Sequence, residues 1–104
     1  MNSSEREREA RLNDVLIFRW KGNHTVYLME SEEKFHSCNF TNATLVGDVS
    51  PTSYTVTQFP AYFACALPSH CQNGLKLKVD KSKSNIKYDI IMYYILEILL
   101  FAIP

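Results

Sequence analysis

Apolar positions along this chain come in short runs broken by turn residues, without the long 3.6-residue stripes of amphipathic helices. Val15-Leu16-Ile17-Phe18-Arg19-Trp20 is β-branched and aromatic and stops at Lys21-Gly22-Asn23, which predicts a strand ended by a turn. Thr25-Val26-Tyr27-Leu28-Met29 predicts the next strand, and residues 43–46 a short one. Ser53-Tyr54-Thr55-Val56-Thr57 alternates weakly after a turn around Pro51. Ala61-Tyr62-Phe63-Ala64-Cys65-Ala66-Leu67, bounded by Pro60 and Pro68, reads as a buried strand. Leu75-Lys76-Leu77-Lys78-Val79 alternates cleanly and places Leu75, Leu77 and Val79 on one face. The one internal helical signal lies near residues 31–37, where Ser31 can cap and Glu32 and Glu33 suit a first turn. Several strands, turn signals between them and almost no helix predict an all-β antiparallel sandwich or barrel over residues 13–80.

The two ends differ from this middle. Residues 1–12 are a mixed-charge run with too little apolar surface to dock, so they read as a solvated, disordered arm. Residues 1–14 contain no apolar core of a signal peptide. Residues 81–104 read as a polar spacer and an apolar tail, and the run from Tyr88 is interrupted by Asp89 and Glu97 and is short for a membrane span. Three readings stay open for it: a C-terminal helix packed on the domain, the removable tail of a lipid-anchor signal after Ser82 and Ser84, or sequence outside the mature fold.

Eleven basic residues balance eleven acidic ones, which leaves no electrostatic reason to expect nucleic acid as a partner. Three cysteines, Cys38, Cys65 and Cys71, cannot all pair within the chain. One pair plus one free or metal-bound thiolate is the simplest account, and a pair would imply an oxidising compartment. Sequons place glycosylation candidates at Asn23, Asn39 and Asn42, with another at Asn2.

The chemistry concentrates in Cys65-Ala66-Leu67-Pro68-Ser69-His70-Cys71. A thiolate at a strand end and an imidazole five residues later can turn toward one ion, and His24 offers a second imidazole. Two imidazoles and a thiolate are the donor set that selects copper in an electron-transfer site. If His70 faces the ion, Cys71 points away from it and is free to pair with Cys38. Zinc held by Cys65, His70 and Cys71 is the competing reading, but adjacent His70 and Cys71 make poor joint ligands for a tetrahedral ion and a CxxC pair is absent. His36 reads as an ordinary surface or core histidine.

These residues resemble the phytocyanins, plant extracellular blue-copper proteins. Asp14-Val15-Leu16-Ile17-Phe18, His24-Thr25-Val26, Ser37-Cys38 and Tyr62-Phe63-Ala64-Cys65-Ala66-Leu67-Pro68-Ser69-His70-Cys71-Gln72-Asn73-Gly74-Leu75-Lys76 follow the family signature in order and spacing. The resemblance implies a cupredoxin-like Greek-key β-sandwich and one type 1 copper ion held by His24, Cys65 and His70. It also implies a Cys38–Cys71 disulfide. It places the family's weak axial Met or Gln at Leu75, which cannot coordinate, so the expected site is three-coordinate with a raised reduction potential. It further implies an electron-transfer protein, not an enzyme, that is monomeric and extracellular or at the plasma-membrane surface. Membrane association would run through a lipid anchor or the apolar tail, and the redox partner is unidentified. The family's early strands have no counterpart in the charged arm, so the sandwich is expected to lack its first strands and expose an edge. A cell-surface interaction protein on the same scaffold, with weak or no copper binding, is the competing function.

Overall fold

Each predicted strand run becomes a strand, and the reason for its burial differs from one sheet to the other. The computed structural model describes residues 6–83 and the backbone of residues 95–99. The strands are β1 (Arg6–Ala10), β2 (Val15–Arg19), β3 (Val26–Leu28), β4 (Thr44–Gly47), β5 (Thr52–Thr55), β6 (Ala61–Ala64), β7 (Lys76–Lys81) and β8 (Ile95–Leu99), with helix α1 at Glu32–Ser37. They form a five-stranded sheet, β1-β7-β6-β3-β4, and a three-stranded sheet, β5-β2-β8.

The inner faces meet in one core. Leu16 and Phe18 of β2 share a buried cluster with Val26, Phe63, Leu77 and Val79 of the larger sheet, so the fold is a β-sandwich. Phe63 is its centre, with the Phe18 ring at 5.0 Å and the Tyr54 ring at 5.1 Å. Strand β6 is apolar at every position because both of its faces are covered. Ala61 and Phe63 face the inter-sheet core, while Tyr62 and Ala64 join a second cluster with Met29, Phe35 and Cys71 on the α1 side. Helix α1 starts where Ser31 accepts a hydrogen bond from the Lys34 N–H and ends at Cys38, whose backbone is left-handed (φ 55°).

Two expectations for the chain ends are corrected. The charged run is not disordered over Arg6–Ala10, which pairs in parallel with β7 from Arg6↔Leu77 to Ala10↔Lys81. A ladder is made by backbone groups, so an edge strand needs little apolar surface; here Ala10 alone is buried, and the charges face solvent as edge strands favour. The exposed edge that the sequence predicts is tied to no particular strand; in the larger sheet β1 occupies the side of β7 away from β6. Residues 1–5 lie outside the described residues. The tail helix is likewise not formed over Ile95–Leu99, which pairs in parallel with β2 as β8. A short apolar run has no periodicity that separates helix from strand, and the free side of β2 is where this one pairs. The rest of the tail and the lipid-anchor reading lie outside the described residues.

Candidate metal centre

The candidate donors come from two strand ends of the larger sheet that antiparallel β3–β6 pairing places side by side. His24 sits two residues before β3, and Cys65 directly follows β6. Tyr27↔Ala64 and Leu28↔Phe63 pairing places the start of β3 beside the end of β6. His70 lies on the loop between β6 and β7, which folds back on itself. The Leu75 N–H donates to the His70 carbonyl at 3.0 Å, and the Cys65 N–H donates to the Leu75 carbonyl at 3.2 Å. The turn needs left-handed backbone at Ser69 (φ 65°) and at Gly74 (φ 96°), a conformation glycine adopts without strain.

The three side chains converge as the spacing predicts. His24 Nδ1 and His70 Nδ1 are 3.2 Å apart, Cys65 Sγ is 3.3 Å from His70 Nδ1, and it is 3.9 Å from His24 Nδ1. Donors about 2.0 Å (nitrogen) and 2.3 Å (sulfur) from a shared ion, at angles of roughly 100–130°, would stand about 3.1–3.6 Å apart for two nitrogens and about 3.3–3.9 Å for nitrogen and sulfur. All three separations fall in these ranges, so the residues fit a trigonal metal ion. Among the described residues, His24, Cys65 and His70 are the group placed so that they could hold a metal ion.

Burial grades the site from inside to outside. Cys65 is fully buried and belongs to the inter-sheet core, His24 is buried, and His70 is half-buried at the rim. Burial, and then the neighbouring His70, push the His24 pKa below its ordinary value, against a smaller opposite effect of a backbone hydrogen bond with Lys21. A His24 that resists protonation keeps its ring nitrogen available as a ligand. The Cys65 sulfur has its own partners. The Thr25 N–H approaches Cys65 Sγ at 3.4 Å and the Thr25 hydroxyl at 3.8 Å, while that hydroxyl accepts the Ala66 N–H at 2.9 Å. Thr25 thus orients the ligand strand end as well as the sulfur.

Cys38 and Cys71 form a disulfide, and Cys65 is the free cysteine, which resolves the odd count. His36 takes no part; its ring lies 3.4 Å from Glu32 on the exposed side of α1. Asn23, Asn39 and Asn42 are all exposed. Thr25 and Lys76 are the two residues whose roles sequence reading missed. Thr25 read only as the start of a strand and the end of a sequon; its one signal was its place directly after His24. Lys76 matched the signature without a role attached.

Comparison with known proteins agrees with this geometry. A family model described as a plastocyanin-like domain matches residues 5–75. The chain is 35% identical over 80 residues to the cucumber peeling cupredoxin of Cucumis sativus, covering 72% of this chain and 57% of that protein, so it spans a little over half of that relative's length. Spinach plantacyanin superposes with a TM-score of 0.64 at 27% identity, covering 77% of this chain and 88% of that one. Cucumber stellacyanin, solved with Cu2+, gives 0.63 at 32% identity over 74% of this chain and 73% of its own.

Proposed function

Because the chain belongs to the phytocyanin family of blue-copper proteins, we propose that it holds one copper ion between His24, Cys65 and His70 and passes single electrons through it. The observation that carries this reading is the convergence of one thiol and two imidazoles, each ligand atom within 4.8 Å of the others. Copper bound there would supply a one-electron couple stable without substrate chemistry. The protein's part is to hold donors still. Cys65 is fixed by the core and by Thr25, His70 by its loop hydrogen bonds, and His24 by burial. Small movement of the donors between oxidation states keeps transfer fast, and His70, the half-buried donor, is the natural edge for electron exit.

On this reading the protein is a monomeric electron carrier with an unidentified redox partner and no substrate of its own. Its disulfide suits an extracellular or cell-surface setting. There Asn23, Asn39 and Asn42 would meet the glycosylation machinery. Among the described residues, no helix is long and apolar enough to cross a membrane. The competing reading, an interaction protein on the same scaffold, draws on the non-coordinating Leu75.

Addition of Cu(II) to the purified protein is expected to produce an intense blue thiolate-to-copper band in one-to-one stoichiometry, abolished in Cys65→Ser. A correctly folded protein with reduced Cys65 and no band would sink the copper reading and leave the interaction reading in place.

A further inference from the structure

The alternation along β7 sends Leu77 and Val79 into the inter-sheet core and Lys76 to the opposite face. That face is covered by α1, and Lys76 is only 6% exposed. Burying an ammonium group is costly unless its donors find acceptors. Here Lys76 Nζ donates to the main-chain oxygen of Phe35 at 3.0 Å and of His36 at 3.3 Å. It also stands 5.0 Å from the Phe35 ring centroid and 3.9 Å from Cys38 Sγ. Both carbonyls belong to the last turn of α1, where a cation is favoured, and the Phe35 carbonyl also accepts the Cys38 N–H at 3.4 Å.

The main chain of Lys76 continues directly from the ligand loop. Leu75, its neighbour, bonds to the backbones of both His70 and Cys65, and Lys76 pairs in register with Ala64, the residue before Cys65. The loop is therefore tied to the end of α1 at two places, through the Cys71–Cys38 disulfide and through the Lys76 side chain. A single tie leaves a loop free to pivot, and two set its tilt. We infer that Lys76 is a positioning residue for the metal loop: anchored on the terminal carbonyls of α1, it holds residues 65–76 where Cys65 and His70 meet His24. Its functional meaning rests on the copper reading above, whereas the anchoring does not.

The test compares amide hydrogen exchange in metal-free wild type, Lys76→Met and Lys76→Arg. In Lys76→Met the Cys65, His70 and Leu75 amides are expected to lose at least tenfold more protection than the Asn13 and Val56 amides, which bond across the β2–β5 side. Lys76→Arg, which keeps a cation for the same carbonyls, is expected to stay within threefold of wild type at the loop. Equal loss at both sets of amides in Lys76→Met, or loss in neither, overturns the inference, as does an Arg variant as impaired as the Met variant. Should Lys76→Met not fold, Lys76→Gln, whose amide is too short to reach both carbonyls, carries the same comparison. Copper loading separates the two claims. A wild type without a blue band defeats the copper reading and leaves the amide comparison standing. A blue wild type whose band and electron paramagnetic resonance spectrum are unchanged in Lys76→Met overturns the positioning role.

Discussion

By the resemblance to the phytocyanins, Leu75 is expected at the position of the family's weak axial Met or Gln, and its backbone bonds both to His70 and to Cys65. A weak axial donor stabilises Cu(II) more than Cu(I), so Leu75→Gln is expected to lower the midpoint potential of the copper-loaded protein. A potentiometric titration showing no change or a rise would contradict this. His24 makes a separate prediction for the metal-free protein. Its pKa is pushed below the ordinary 6.5 on folding, first by burial and then by His70. Between the depressed and the ordinary value the unfolded chain binds the proton more readily, so the His24 contribution is present above pH 6.5 and lost as pH falls through the folded value. Urea midpoints should therefore drop on acidification below that point, and less so in His24→Asn; equal slopes would exclude His24 as the source. At this scale the ligands were legible because their chemistry is rare and their spacing is short. Thr25 and Lys76 were not, since hydroxyl and ammonium groups are usually solvated and only their surroundings give them partners.

Strands β4 and β5 show how a single position can limit an element. A Cβ added at Gly47 would stand 2.1 Å from Thr52 Oγ1 and 2.9 Å from Thr52 Cβ. Thr52 cannot give way easily, because it is buried and its hydroxyl donates to the Val49 carbonyl at 2.6 Å. Gly47→Ala is expected to destabilise the protein by about 1–3 kcal/mol, the usual cost of overpacking. Chemical denaturation checks it, and an unchanged midpoint would show that β4 shifts freely. Elements with strong local signals, such as β2, α1 and β7, were readable within a residue or two. Strand β1 was hidden because Arg-Glu-Arg-Glu-Ala carries no apolar alternation, and an edge strand gains its ladder from a neighbour far along the chain.

Across the whole molecule, the Cys38–Cys71 bridge joins the helix end to the ligand loop over a sequence separation of 33. Closing a loop of that length restricts the unfolded chain by roughly 3–4 kcal/mol in the chain-entropy account. Reduction with a thiol, or paired Cys38→Ala and Cys71→Ala replacement, should lower unfolding free energy by that order. It should also weaken copper retention, because Cys71 adjoins His70. Free-thiol counting on the unfolded oxidised protein should give one thiol, from Cys65. Three thiols would refute the bridge.

The order and spacing of rare residues singled out His24, Cys65 and His70 in advance, and the resemblance supplied their roles. One thiol and two imidazoles meet here because a strand end and a return loop lie together. Alternation likewise assigned Leu77 and Val79 to a core before any partner was known. Contacts between distant segments settled the rest. Pairing with β7 turned a charged run into β1, and pairing with β2 made β8. Cover by α1 made a lysine on the expected outer face of β7 a buried anchor. Local sequence carries period and chemistry, whereas the worth of a backbone ladder or a buried charge depends on which neighbour the fold supplies.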